Sequence, residues 1–273
     1  MDDHSTHGDH DDHDDHGDRG HYDDSSTETR GYASGEHAVP GGLAVAANGL
    51  RLKPSETRFD SESSTDWTFR IVDDDGSVVT DFEETHGRRS HLVVVRRDLT
   101  RFQHLHPELQ SEGTWRVDGF ALPAPGVYRA FVDVVVDGQS TTLGFDLFAS
   151  GTGPEPTDER PDSSRRATAG EYEVELLADE VASRERTQLT FEVRRGDDPV
   201  RKLEEYLGAL GHLVALREGD LAYLHVHPEE TEPDSGRVAF DARFPTPGRY
   251  RLFLQTKPEG ALITTAFDVR VRG

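Results

Sequence analysis

All fourteen histidines of this 273-residue chain fall in two places. Seven lie near the N-terminus, where His4, His7, His10, His13 and His16 keep a strict spacing of three and are followed by His21 and His37. The other seven are His86, His91, His104, His106, His212, His225 and His227. Within this second group one pattern occurs twice: a histidine, twelve residues, then His-x-His-Pro. It runs through His91, His104, His106 and Pro107, and again through His212, His225, His227 and Pro228. Imidazole is the commonest protein ligand for transition metals. The chain has no cysteine and its only methionine is Met1, so thiolate and thioether ligation are excluded from the body of the protein. A site built from imidazole and carboxylate favours Cu(II) over the other first-row divalent ions, with Zn(II) next. Glu84 and Glu205, with their neighbours Glu83 and Glu204, are the candidate carboxylates. His86 is an additional candidate in the first copy alone, because Leu207 stands opposite it in the second.

Three imidazoles ligate together only if the backbone turns them to one side. The segments HLVVV and FQHLHP, like HLVAL and YLHVHP, are short β-type runs with tight connections at 97–100 and 218–221, so each pair reads as a hairpin. Parity then decides the face. A loop of even length sets His91 opposite His106 and diagonal to His104, at Cβ separations of about 5 and about 7 to 8 Å. The trio shares its face with Val93, Val95 and Phe102, which places it at the rim of an apolar layer, with Leu105 and Val226 pointing the other way. The competing reading is a hydrogen-bonded corner that the duplication preserved.

The duplication is broader than the histidines. Residues 82–107 superpose without a gap on 203–228, with 10 of 26 positions identical. Downstream, Pro125-Gly126-Val127-Tyr128-Arg129 matches Pro247-Gly248-Arg249-Tyr250-Arg251, and Phe145-Asp146 matches Phe267-Asp268. Units of this size are tandem domains rather than solenoid repeats. Short β-branched runs such as 66–72, 90–95, 127–136, 188–193 and 249–254, separated by Asp-Gly and Pro-Gly turns, predict an all-β sandwich in each copy. A single helical turn is expected at most, over Lys202 to Ala209. The expected order is an arm at 1–37, a first domain at 38–149, a linker rich in Pro, Gly, Ser and charge at 150–170, and a second domain at 171–273. The arm carries 12 acidic and 2 basic residues and almost nothing apolar, so it is expected to be disordered and to bind several ions weakly.

Composition narrows the partners. A net charge of −23 repels nucleic acid and anionic membranes and suits cations. Three lysines among the 30 basic residues fit a surface adapted to concentrated salt. The longest apolar stretch, 38–47, is interrupted by Pro40, Gly41 and Gly42 and falls short of a membrane span. The start, Met1-Asp2-Asp3, has neither a basic n-region nor an apolar h-region, so a signal peptide is expected either to be absent or to have been removed with a new start methionine added.

The segments RRDLTRFQHLHP, GALGHLVALREGDLAYLHVHP and PxPGxYR resemble those of microbial cell-envelope proteins with tandem YtkA-like, immunoglobulin-like domains of suspected heavy-metal handling. That resemblance spans both bodies but not the arm, and implies immunoglobulin-like sandwiches and an extracellular or cell-envelope location. The function expected on these grounds is binding of copper or zinc ions for buffering, delivery or resistance, one site per domain, without catalysis. A metal transporter or membrane-bound acceptor would receive the ion. The alternatives are a cupin-type non-haem metal oxygenase, suggested by the run from His104 to Glu108, and a structural or adhesive tandem sandwich without a ligand. In cupins the third histidine lies downstream, whereas here it lies upstream.

Overall fold

The computed structural model describes residues 41–61, 63–153, 163–178 and 180–273. The arm, with His4, His7, His10, His13 and His16, lies outside the described residues, as do residues 154–162 of the linker. Both bodies are two-layered β-sandwiches, and among the described residues the single helical element is the 3-10 turn Ser111–Gly113. No described helix is long and apolar enough to cross a membrane. Lys202 to Ala209 forms no helical turn. It holds the short strand Leu203–Glu204 and a tight turn closed by Tyr206 and Ala209, with Leu207 and Gly208 left-handed.

In the first body one sheet runs, in spatial order, Ala46–Ala47, Leu50–Pro54, Ser64–Val72, Thr114–Ala121, Glu108–Leu109. The other runs Arg58–Asp60, Gln139–Ser150, Gly126–Val136, His91–Arg96, Gln103–Leu105. Alternation fills the space between them. Leu50 and Leu52 point inward from one strand, and Trp67, Phe69 and Ile71 from the next, to meet Leu92, Val94, Val132, Leu143 and Leu147. The second body repeats the plan around Val174, Leu189, Phe191, Phe240, Leu252 and Phe267. Arg58–Asp60 and Val181–Ala182 pair in parallel with the last strand of their own copies, whereas the other strand pairs are antiparallel.

The repeated motifs acquire structural meaning here. Tyr128 donates its hydroxyl to the Ala124 carbonyl at 2.8 Å, and Tyr250 donates to that of Thr246 at 3.0 Å. This is the tyrosine corner of immunoglobulin-like sandwiches, which ties the entry of a core strand to the preceding loop. The arginine after each tyrosine pairs across the hairpin with the aspartate of the matched Phe-Asp dipeptide, Arg129 with Asp146 at 3.0 Å and Arg251 with Asp268 at 2.9 Å.

The strand His91–Arg96 is buried at every position, on both faces. One face enters its own core. The other meets the second body in an apolar layer of Val93, Val95, Leu99, Phe102 and Phe131 against Val214, Leu216, Leu221, Tyr223 and Phe253. Phe102 stacks on Phe253 at 4.2 Å and 9°, and Phe131 contacts Tyr223 at 5.3 Å. By the superposition Phe102 corresponds to Tyr223 and Phe131 to Phe253, so these contacts are the same contact made in both directions, as across a two-fold axis.

A strap crosses the joint. Gly41 exchanges two backbone hydrogen bonds with Tyr223 of the second body, while Gly42 donates to Thr142 and Gly144 donates to Ala44 in the first. Gly144 has no room for a side chain, since a Cβ there would lie 1.8 Å from the Gly42 carbonyl oxygen. The second copy has Ala266 at the matching position, and its own leading segment pairs with the last strand two residues further on, Ser164 with Asp268.

Candidate metal centre

The first hairpin turns tightly because Asp98 organises it. Its carboxylate accepts from the Arg96 guanidinium, the Thr100 amide and the Thr100 hydroxyl, while Leu99 and Arg101 take left-handed backbone conformations. The resulting register pairs Leu92 with Leu105, Val93 with His104 and Val94 with Gln103. Continued by one residue, it sets His91 level with His106. Leu105 packs on the first body's core, so His91, His104 and His106 share the other face with Val93. Their ligand nitrogens all lie within 4.8 Å of one another, and the ring centroids are 5.3, 5.3 and 4.7 Å apart.

Hydrogen bonds assign the tautomers of two rings. His91 Nε2 lies 3.1 Å from the Thr85 carbonyl oxygen, which accepts only, so that nitrogen carries the proton. His104 Nδ1 lies 2.7 Å from Gln255 Oε1 and donates to it, while the Gln255 amide nitrogen donates to the Thr264 hydroxyl. With the Gln255 amide turned this way, the nitrogens that remain, His91 Nδ1 and His104 Nε2, face each other at 3.1 Å with no proton between them. On one ion with metal–nitrogen bonds of about 2.0–2.1 Å, two ligand nitrogens at 90–110° lie about 2.9–3.4 Å apart. His106 Nε2 is buried and has no hydrogen-bond partner among the described residues. Burial, reinforced by the neighbouring His91 ring, holds the His104 imidazole down at about 3 and that of His106 at about 4. Both rings are therefore neutral at ordinary pH, the state a metal requires.

The second body reaches into this cluster. Gln255 belongs to it, and its side chain is the partner of a histidine in the other domain. His212 lies with its ring 6.2 Å from His104 and 6.5 Å from His91, and burial lowers its pKa as well. His212 Nε2 donates to the Tyr206 carbonyl at 2.6 Å, as His91 Nε2 donates to that of Thr85, the residue matching Tyr206. His86, on a left-handed turn residue, sits 5.5 Å from His212 and 6.2 Å from His91.

Several expectations are corrected. The first copy's trio lies at the joint with the second body, with His212 beside it, because its hairpin turns the histidine face toward the interdomain layer. The second hairpin has the same register, Val214 with His225 and Leu216 with Tyr223, and buries Leu224 and Val226 in its own core. The side chains of His225 and His227 lie outside the described residues. The carboxylates do not reach the cluster. Glu83 accepts from the Gly138 amide, Glu84 is exposed beside Arg89 at 3.8 Å, and Glu204 pairs with Lys202 and Lys257. Glu205 lines a surface cleft with Glu229, Glu230 and Glu232. Sequence reasoning missed Gln255. The available signal was its place in the duplication, where it matches Asp133. Each stands directly across the strand pair from the first histidine of its own copy, Asp133 from His91 and Gln255 from His212.

Comparison with known proteins places this tandem immunoglobulin-like architecture. The chain belongs to the family described as a domain of unknown function (DUF8832), whose model matches twice, at residues 45–151 and 167–273. That family, and not a YtkA-like or other metal-binding one, is what the comparison identifies. No curated protein sequence matches. Among solved structures the chain is similar to the Escherichia coli adhesin FdeC, at 12% identity over 84% of this chain and 66% of that one with a TM-score of 0.25. It is similar to Yersinia pseudotuberculosis InvD at 12% identity over 83% and 58%, TM-score 0.28. It also resembles Salmonella alpha-2-macroglobulin reacted with methylamine, at 12% identity over 87% and 15%, TM-score 0.30. The chain spans less than two thirds of the length of each.

Proposed function

We propose that this chain binds a first-row divalent metal ion at His91, His104 and His106, Cu(II) in preference to Zn(II), and serves in metal buffering, delivery or resistance at the cell envelope. The observation that carries the reading is the arrangement of unprotonated nitrogens: His91 Nδ1 and His104 Nε2 face each other at 3.1 Å, beside the buried, unpartnered Nε2 of His106. A buried polar atom without a partner costs about 1–3 kcal/mol, and an ion among the three rings removes that cost. Hydrogen bonds from the other ring nitrogens of His91 and His104 to fixed oxygens are the outer-shell support that metal-bound imidazoles require. His4, His7, His10, His13 and His16 supply weaker sites that collect ions, and a transporter or membrane-bound protein accepts them.

A metal-free structural role is the second reading, favoured by one feature. Turning the Gln255 amide over lets it donate to His104 Nδ1, so that His104 donates from Nε2 to His91 Nδ1 and the pair is satisfied without an ion. His106 Nε2 stays unpartnered in that arrangement, which is why the metal reading is preferred. Elemental analysis of protein purified without a metal-affinity step, followed by titration of the chelator-stripped chain with Cu(II) and Zn(II), separates the two. Tight binding lost in His106→Ala supports the metal centre. Absence of tight binding in the unaltered chain leaves the structural role.

A further inference from the structure

We infer that the two domains share the ion, with His212 of the second copy closing in as the fourth ligand and Gln255 acting as the positioning residue for His104. The inference rests on the metal reading above and adds that the site is incomplete in either domain alone. Three imidazoles on one tetrahedral ion, with metal–nitrogen bonds of about 2.0–2.1 Å, have ring centres about 5 Å apart. The first copy's trio already meets that condition, at 4.7 to 5.3 Å. The fourth corner of the tetrahedron is left to be filled. His212, at 6.2 Å from His104 and 6.5 Å from His91, stands about 1 Å beyond the distance such a ligand takes. Its tautomer suits the task, because Nε2 donates to Tyr206 and Nδ1 is left as the unprotonated nitrogen.

The movement needed is a closing of the joint rather than a refolding of either sandwich. Gln255, only 8% exposed, reaches across that joint to hold His104 Nδ1 at 2.7 Å. Two residues away along each strand, Phe102 and Phe253 stack at 4.2 Å and guide the faces together. An ion bound there is a cross-link between domains whose covalent connection is the segment 150–170. The composite site therefore converts metal loading into a fixed domain orientation.

The test uses the full chain. Because it contains no cysteine, spin labels can be placed without ambiguity at Asp75→Cys in the first domain and Ala261→Cys in the second, both exposed positions. Pulsed EPR distances are recorded after chelation and again with the diamagnetic ion Zn(II). The expected result is a narrower interdomain distribution on zinc loading, lost in His212→Ala together with at least about a tenfold fall in affinity. Gln255→Ala should weaken zinc by about 10–100-fold. Gln255→Glu, which still accepts from His104 Nδ1, should restore it, a rescue that a purely structural role does not produce. Zinc bound as tightly by His212→Ala and Gln255→Ala as by the unaltered chain, with an unchanged distribution, overturns the shared site while the three-histidine centre stands. No tight zinc binding in the unaltered chain overturns both.

Discussion

His106 is the residue at which stability and function part company. Its buried Nε2 has no partner among the described residues, so a leucine there removes an unsatisfied polar atom while keeping the volume. His106→Leu is expected to raise the stability of the chelated protein by about 1 kcal/mol, since unsatisfied buried groups cost about 1–3 kcal/mol, and to abolish tight metal binding. Chemical denaturation with and without metal checks both halves, and a His106→Leu protein that is less stable when metal-free contradicts the orphaned-nitrogen account. The same neighbourhood sets an acid limit. His104 titrates at about 3 and His106 at about 4 in the folded protein, against about 6.5 when unfolded. Between those values the unfolded chain holds the more protons, so the stability of the metal-free protein is full above about 6.5 and falls as pH drops toward 4 and then 3. Thermal melts of the His104→Leu, His106→Leu double variant should show a smaller loss over this window than the unaltered protein.

At the level of strands and turns, much of the site could be read in advance because parity is a local property. The spacing of His91 to His104 and His106, with one even-length turn, fixes which face the rings occupy, and the observed register of Val93 with His104 agrees. The strands at 64–72, 126–136, 186–195 and 248–258 likewise enclose runs visible as short β-branched segments. The strand Thr114–Ala121 is less legible, because Asp118 and Gly119 interrupt its apolar face between Val117 and Phe120. Contacts made between distant residues were not legible at all: nothing local marks Gln255 as the partner of His104. Two predictions belong here. Tyr128→Phe removes the hydroxyl bond to Ala124 and should cost about 1 kcal/mol, measured by urea denaturation. Gly144→Ala places a methyl group against the Gly42 carbonyl and should release the strap at 41–44, seen as faster hydrogen exchange there, whereas Ala266→Gly in the other copy should leave exchange of that segment unchanged.

Across the whole molecule, the two domains meet through the faces that carry the histidines, and the runs HLVVV and HLVAL contained the hint. In antiparallel sheets a strand with one wet face alternates, so an unbroken apolar run signals cover on both sides. The first run indeed lies in a strand buried throughout. Duplication alone says only that two sites are possible; the facing of the copies is what brings His212 beside His86, His91 and His104. The arm should be separable from that centre. Deleting residues 1–37 is expected to remove numerous weak sites and leave tight binding intact, as followed by calorimetric titration, and loss of tight binding on deletion would contradict the assignment of the centre to the folded body. The most direct test of the central claim is anomalous scattering at the zinc edge from crystals of the chain lacking residues 1–37 grown with Zn(II). The account predicts a peak about 2.0–2.1 Å from His91 Nδ1, His104 Nε2 and His106 Nε2. No peak among those three rings, with His104 still hydrogen-bonded to His91, would contradict it.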